Sequence, residues 1–239
     1  MSLECFRGTI WFVGCGLMLA ATARAQEPGQ PKVQPGPNEP DWVVVLSDRY
    51  GLSMIEDLLN PVKTTASETP GLFRKAGPGP VRYAPVLALG LETRTRGGWY
   101  RPAGEAAPKK SGLWTYTFKH TAADLEKKND LAPPLEGQSQ LEFDPGDQPF
   151  GVWVSNDGLN DGGVYSEPAV VARNNARLAK QPYKAMIYPN RDKTTGRKVP
   201  NSYLIGWEYS TNDDFQDVVC RIDNVVLIGA DKPKAAEKP

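Results

Sequence analysis

From Val81 onward, apolar runs of strand length alternate with turn chemistry. "VRYAPVLALGLETR", "GLWTYTFKH", "SQLEFD", "FGVWVSN", "YKAMIYP", "NSYLIGWEY" and "QDVVCRIDNVVLI" are divided by "RGGW", "DPGD", "NDGLNDGG" and "NRDKTTG". Gly, Asn and Asp supply the φ values and local hydrogen bonds of tight turns, and alternation of apolar with polar residues is the period of a half-buried strand. In "GLWTYTFKH" the residues Trp114, Tyr116 and Phe118 share one face, with Thr115, Thr117 and Lys119 on the other. In "NSYLIGWEY" the shared face carries Tyr203, Ile205, Trp207 and Tyr209, so Glu208 points away from it. Many short strands with little helix predict an all-β chain, an antiparallel β-sandwich or jelly roll.

Ahead of these strands, "DWVVVL" at 41–46 reads as a short apolar strand. "GLSMIEDLLNP" at 51–61 spaces Leu52, Ile55 and Leu59 as on a helix, with Asn60-Pro61 as the stop. The expectation is a sandwich with one short N-terminal helix there.

The two ends have a different character. Residues 1–25 place Arg7 before an apolar run from Ile10 to Ala21 and end in Ala23-Arg24-Ala25, the pattern of a cleaved secretory signal peptide. A lipoprotein anchored through Cys15 is the alternative. Residues 26–40, "QEPGQPKVQPGPNEP", form a Pro/Gly-rich linker with almost nothing to bury, and 230–239 a charged tail. A single domain is expected over 41–229, secreted or periplasmic, with no membrane-spanning segment after signal cleavage. Once the signal is removed, Cys220 is the last cysteine, so no internal disulfide can brace the core. In "DVVCRI" it reads as a small buried apolar side chain.

Charge and histidine content exclude several functions. Lys plus Arg and Asp plus Glu number 28 each, so no net field draws in nucleic acid. The single histidine, His120, rules out a multi-histidine zinc site, and its place in a polar turn after "LWTYTFK" reads as surface.

Two stretches remain as candidate sites. "GWEYSTNDDFQDVV" gathers Glu208, Asn212, Asp213, Asp214 and Asp217 before a strand. Calcium takes about six to eight oxygen ligands, preferring carboxylates and amide or backbone carbonyls from loops. These five residues could therefore hold Ca2+ and tie the closing hairpin; a plain Asx-rich turn is the other reading. The segment from Asn156, "NDGLNDGGVYSE", fails as an EF-hand loop, since with Asp157 first the third position is Leu159 and the twelfth Pro168. "RTRGGWYRP" sets Trp99, Tyr100 and Arg101 in a Gly-flanked loop, where they could stack on sugar rings or meet an acidic polymer, or else fold back over a sheet edge. Hydrolysis of a glycan would need two carboxyl groups, roughly 5–5.5 Å apart in a retaining enzyme. Glu92, Glu142 and an outward Glu208 are the strand carboxylates available, without a diagnostic spacing.

The stretch from "PFGVWVSNDG" through "VYSEP" and "KAMIYP" to "GWEYSTNDDFQDVV" resembles the domain of unknown function 4114 family, found in exported bacterial proteins. The similarity spans roughly Phe143 to Val226 and is sharpest at its end. There Glu208 matches the family's Glu, Asp214-Phe215-Gln216-Asp217 its acidic turn and Val218-Val219 the following strand; Tyr209 and Gln216 depart from the usual Asp and Asn. The resemblance implies a β-sandwich without an established enzymatic activity. The sequence thus predicts an exported, non-catalytic module, calcium-stabilised, that binds a glycan or an extracellular protein. A purely structural domain and a glycoside hydrolase are the alternatives.

Overall fold

The computed structural model describes residues 33–36, 39–60, 71–104, 106–126, 131–159 and 162–228; the signal-peptide pattern and the charged tail lie outside them. The strands form an antiparallel sandwich. One sheet has the order β5-β2-β10-β9-β8, built from Glu142–Phe143, Val81–Ala88, Val218–Asp223, Lys198–Trp207 and Ala185–Arg191. The facing sheet has the order β4-β3-β6-β7, from Lys110–Tyr116, Thr95–Tyr100, Gly151–Asn156 and Val164–Tyr165. A small third sheet pairs β1 (Phe73–Lys75) with β11 (Val225–Leu227). No helix among the described residues is long and apolar enough to cross a membrane.

Alternation along the strands makes the core between the sheets. Tyr83, Ile205, Trp207, Val218, Cys220 and Ile222 meet Trp114, Tyr116, Val152 and Val154, and the Tyr83 and Trp114 rings lie 5.7 Å apart. Each large aromatic removes about 150–250 Å2 from water. Among the described residues the one cysteine is this buried Cys220, whose thiol burial pushes up to about 12, so cohesion comes from packing.

The opposite face of the five-stranded sheet is also covered. Leu87, Met186, Tyr188, Leu204 and Val219 line it, and α1 (Trp42–Tyr50) packs Trp42, Val45 and Leu46 against them. This corrects the expected strand at 41–46 and the expected helix at 51–61. Trp42, Val45 and Leu46 follow the i, i+3, i+4 spacing of one helix face, and the ends are capped. The Asp41 carboxylate accepts from Val43 N–H at 2.8 Å, and Gly51 closes the helix at φ 63°. Caps and docking outweigh the weak strand preference of three valines. From Ser53 to Asp57 side chains bind the backbone instead, with Ser53 N–H donating to Asp57 Oδ2 at 2.9 Å. Ile55 is exposed, and the chain then runs along the rim of β8. There Leu59 N–H reaches Ile187 O at 2.9 Å and Asn60 bridges Ala185 O and Ile187 N–H.

Two details of β2 position the site. Pairing steps from Val219↔Leu87 to Cys220↔Pro85, so Val86 is an extra residue. The bulge reverses the faces: Val81 and Tyr83 point into the sandwich before it, and Leu87 and Leu89 lie on the α1 side after it. Beyond the two residues of β5, His120 closes the β2 rim. Its N–H donates to Ala88 O at 2.7 Å, Nδ1 lies 3.1 Å from Ala88 N, and its ring meets Phe118 edge-on. His120 is therefore buried in the edge of the sheet, not at the surface.

Candidate metal site

The β9–β10 connection, residues 208–217, leaves the sheet where Trp207 pairs with Val218 and β2 ends at Ala88. Its two aromatics go opposite ways. Tyr209 enters the core between the sheets, and Phe215 enters the layer under α1. Glu208 is fully buried between these directions, contrary to the outward strand carboxylate expected from alternation alone. The loop is folded around it. Ser210 N–H donates to Glu208 Oε1 at 2.5 Å, and Asp214 and Phe215 N–H donate to Oε2 at 2.8 and 3.4 Å. Turning those N–H groups inward places Asp213 and Phe215 at φ 58° and 57°, which is costly for residues with a β-carbon.

Asp217 anchors the other end. Its Oδ2 accepts from Tyr209 N–H at 2.6 Å, and its carbonyl accepts from Leu89 and Gly90 N–H at 3.0 and 2.9 Å. Gly90 has to be small: a β-carbon there would stand 2.6 Å from Asp217 Oδ1.

One carboxylate oxygen from each of Glu208, Asp214 and Asp217 lies within 4.8 Å of the others. Asp214 is fully buried; its Oδ2 accepts from the Asn212 amide, while Oδ1 has no partner among the described residues. Both amide atoms of buried Gln216, in the same turn, are likewise without partners there. Burial, followed by the neighbouring carboxylates, pushes the Asp214 carboxyl up to about 10 and Asp217 well above the usual carboxylate range. Two full charges 4.8 Å apart repel by about 3 kcal/mol at an effective dielectric of ~20. Three ionised groups in this space thus require protons or a cation between them.

Of the five residues singled out in the sequence, three meet. Asp213 turns away to an ion pair with Lys184, 2.8 Å from a fully buried ammonium. Asn212 presents its amide nitrogen to Asp214 rather than an oxygen to the centre. Lys184 carried a signal, as the one charge within the apolar "YKAMIYP". Glu39 carried none, since it lies in the stretch read as linker. Yet Gln34 N–H donates to Asp213 O at 3.0 Å, Val33 packs beside the α1 layer, and Glu39 Oε1 lies 3.3 Å from Lys119 Nζ. Glu39 also lines a cleft of about 280 Å3 with Leu89, Glu92, Lys119 and His120.

The aromatic stretch is not an open platform. Trp99 and Tyr100 belong to β3 rather than a loop. Trp99 stacks on Phe143 at 5.2 Å between centroids, with the Arg101 guanidinium 5.4 Å from its centroid. Tyr100 is fully buried and donates its hydroxyl to Glu167 Oε2 at 2.9 Å. Gly151 leaves room for the Tyr100 ring, which a β-carbon there would meet at 2.2 Å, and Gly97 does the same for Trp114. Glu92 and Glu142 are exposed, while Glu208 is buried and accepts backbone N–H groups on both oxygens, so the three do not form a facing catalytic pair.

Comparison of the chain with protein-family models, with curated proteins and with solved structures finds no match.

Proposed function

We propose that this chain is an exported, non-catalytic β-sandwich module whose closing hairpin is fastened by a divalent cation, Ca2+, at Glu208, Asp214 and Asp217. The observation that carries the reading is the convergence of three carboxylates within 4.8 Å, with a buried Asp214 oxygen that no described residue satisfies. A buried polar atom without a partner calls for water or an ion, and an all-oxygen donor set suits a hard cation. Calcium accepts irregular geometry and fills its remaining positions with water, whereas magnesium demands a near-ideal octahedron. The leader pattern and the resemblance to the domain of unknown function 4114 family, sharpest at Glu208 and Asp214-Phe215-Gln216-Asp217, support export and a binding or structural role. Recognition of a glycan or protein at the cell envelope would then fall to loops held by a rigid sandwich.

Thermal melting of the mature chain with calcium and with chelator tests this. Calcium at about 100 times Kd adds about 2.7 kcal/mol, a rise in Tm of roughly 5–10 °C for a domain this size. Asp214→Asn should abolish the rise. An unchanged melt at millimolar calcium would remove the cation from the account.

A further inference from the structure

The segment before α1 brings a fourth carboxylate to the cluster. Gln34 N–H is bonded to Asp213 O, and Glu39 N–H to Gly36 O at 3.2 Å. A β-carbon on Gly36 would lie 2.4 Å from Glu39 Oε2 and 3.5 Å from Asp214 Oδ2. The two carboxylates therefore flank one point, which only a glycine leaves open. Glu39 is fixed from its other side by α1, since Asp41 caps the helix and Trp42 is buried in its docking face. Its Oε1 faces Lys119, leaving Oε2 toward Asp214. On the same carboxylate Asp214 Oδ1 is buried and unpartnered among the described residues, the observation that points to a ligand, and Gln216, two residues on in the turn, has both amide atoms buried and unpartnered as well. Glu39 also borders the 280 Å3 cleft, whose walls carry Glu92, Lys119 and His120.

We propose that the cation held by Glu208, Asp214 and Asp217 takes Glu39 as a fourth carboxylate, and so buckles the segment before α1 onto the β9–β10 turn. The inference rests on the cation reading and adds a function to it: the ion joins parts of the chain some 170 residues apart in sequence and sets how the N-terminal segment leaves the domain. Four carboxylates also favour a divalent over a monovalent ion through charge alone.

Calcium titration by calorimetry and hydrogen exchange on the mature chain test it together, using the parent, Glu39→Gln and Asp217→Asn. The parent should bind calcium, and amide exchange across residues 33–40 should slow on binding. Glu39→Gln should bind at least tenfold more weakly and lose that protection, with its near-ultraviolet dichroism unchanged; Asp217→Asn should not bind. An affinity of Glu39→Gln within twofold of the parent, or exchange at 33–40 indifferent to calcium, overturns the buckle and leaves the three-carboxylate site standing. Absence of calcium binding by the parent overturns both.

Discussion

The ammonium of Lys184, fully shielded from solvent, lies 2.8 Å from the carboxylate of Asp213, which keeps a fifth of its side chain exposed. The pair is asymmetric, and so are the consequences of breaking it. Asp213→Asn retains a residue that tolerates the left-handed φ of 58° but strands a buried charge. It should cost about 3 kcal/mol. Lys184→Met leaves Asp213 able to turn to water and should cost less. Urea unfolding of the two variants measures the difference, and equal costs would contradict the burial assignment.

Placement of the N-terminal helix can be checked by truncation. Leu46 is buried against the sheet and Ile55 is exposed. Leu46→Ala should cost about 2–5 kcal/mol, whereas Ile55→Ser should stay within roughly 0.5 kcal/mol. A helix at 51–61 would give the reverse order in chemical denaturation.

Glu167 gives a pH signature away from the carboxylate turn. Burial raises its carboxyl above the ordinary 4.5, only partly offset by the Tyr100 hydroxyl and Arg173. The folded state thus holds a proton that the unfolded chain releases, and stability falls as pH rises from about 4.5 through the folded value. Glu167→Gln keeps an acceptor for Tyr100 and removes the titration. The Tm of the variant relative to the parent should climb across that window and level off above it. A constant difference at every pH would refute the shift.

Gly90 couples β2 to the acidic turn by space alone. The β-carbon of alanine would meet Asp217 Oδ1 at 2.6 Å and Asp217 Cβ at 3.1 Å, atoms too close to the backbone to swing aside. Gly90→Ala should cost about 1–3 kcal/mol and shrink the calcium-induced rise in Tm. Calorimetric scans with and without the ion read both effects.

Alternation in "GLWTYTFKH" and "NSYLIGWEY" was enough to assign the sandwich faces, because side-chain period two is fixed by the pleat. It failed at Glu208, where the strand ends at Trp207 and the loop curls around the carboxylate. Periodicity was also ambiguous at 41–61: the three valines and the spacing of Leu52, Ile55 and Leu59 pointed the wrong way until the caps at Asp41 and Gly51 were seen. Glu39 was illegible for a different reason. Composition marks a Pro/Gly stretch as having nothing to bury, yet one carboxylate aimed at other carboxylates needs no apolar surface to find its place.

The seating of Asn60 on β8 and of His120 on β2 bears on self-association. Each occupies backbone groups along a margin of the five-stranded sheet that an incoming strand would otherwise claim. At those backbone groups an incoming strand would first have to displace Asn60 or His120, which disfavours β-augmentation along the Ala185–Ile187 stretch of β8 and at Ala88 of β2.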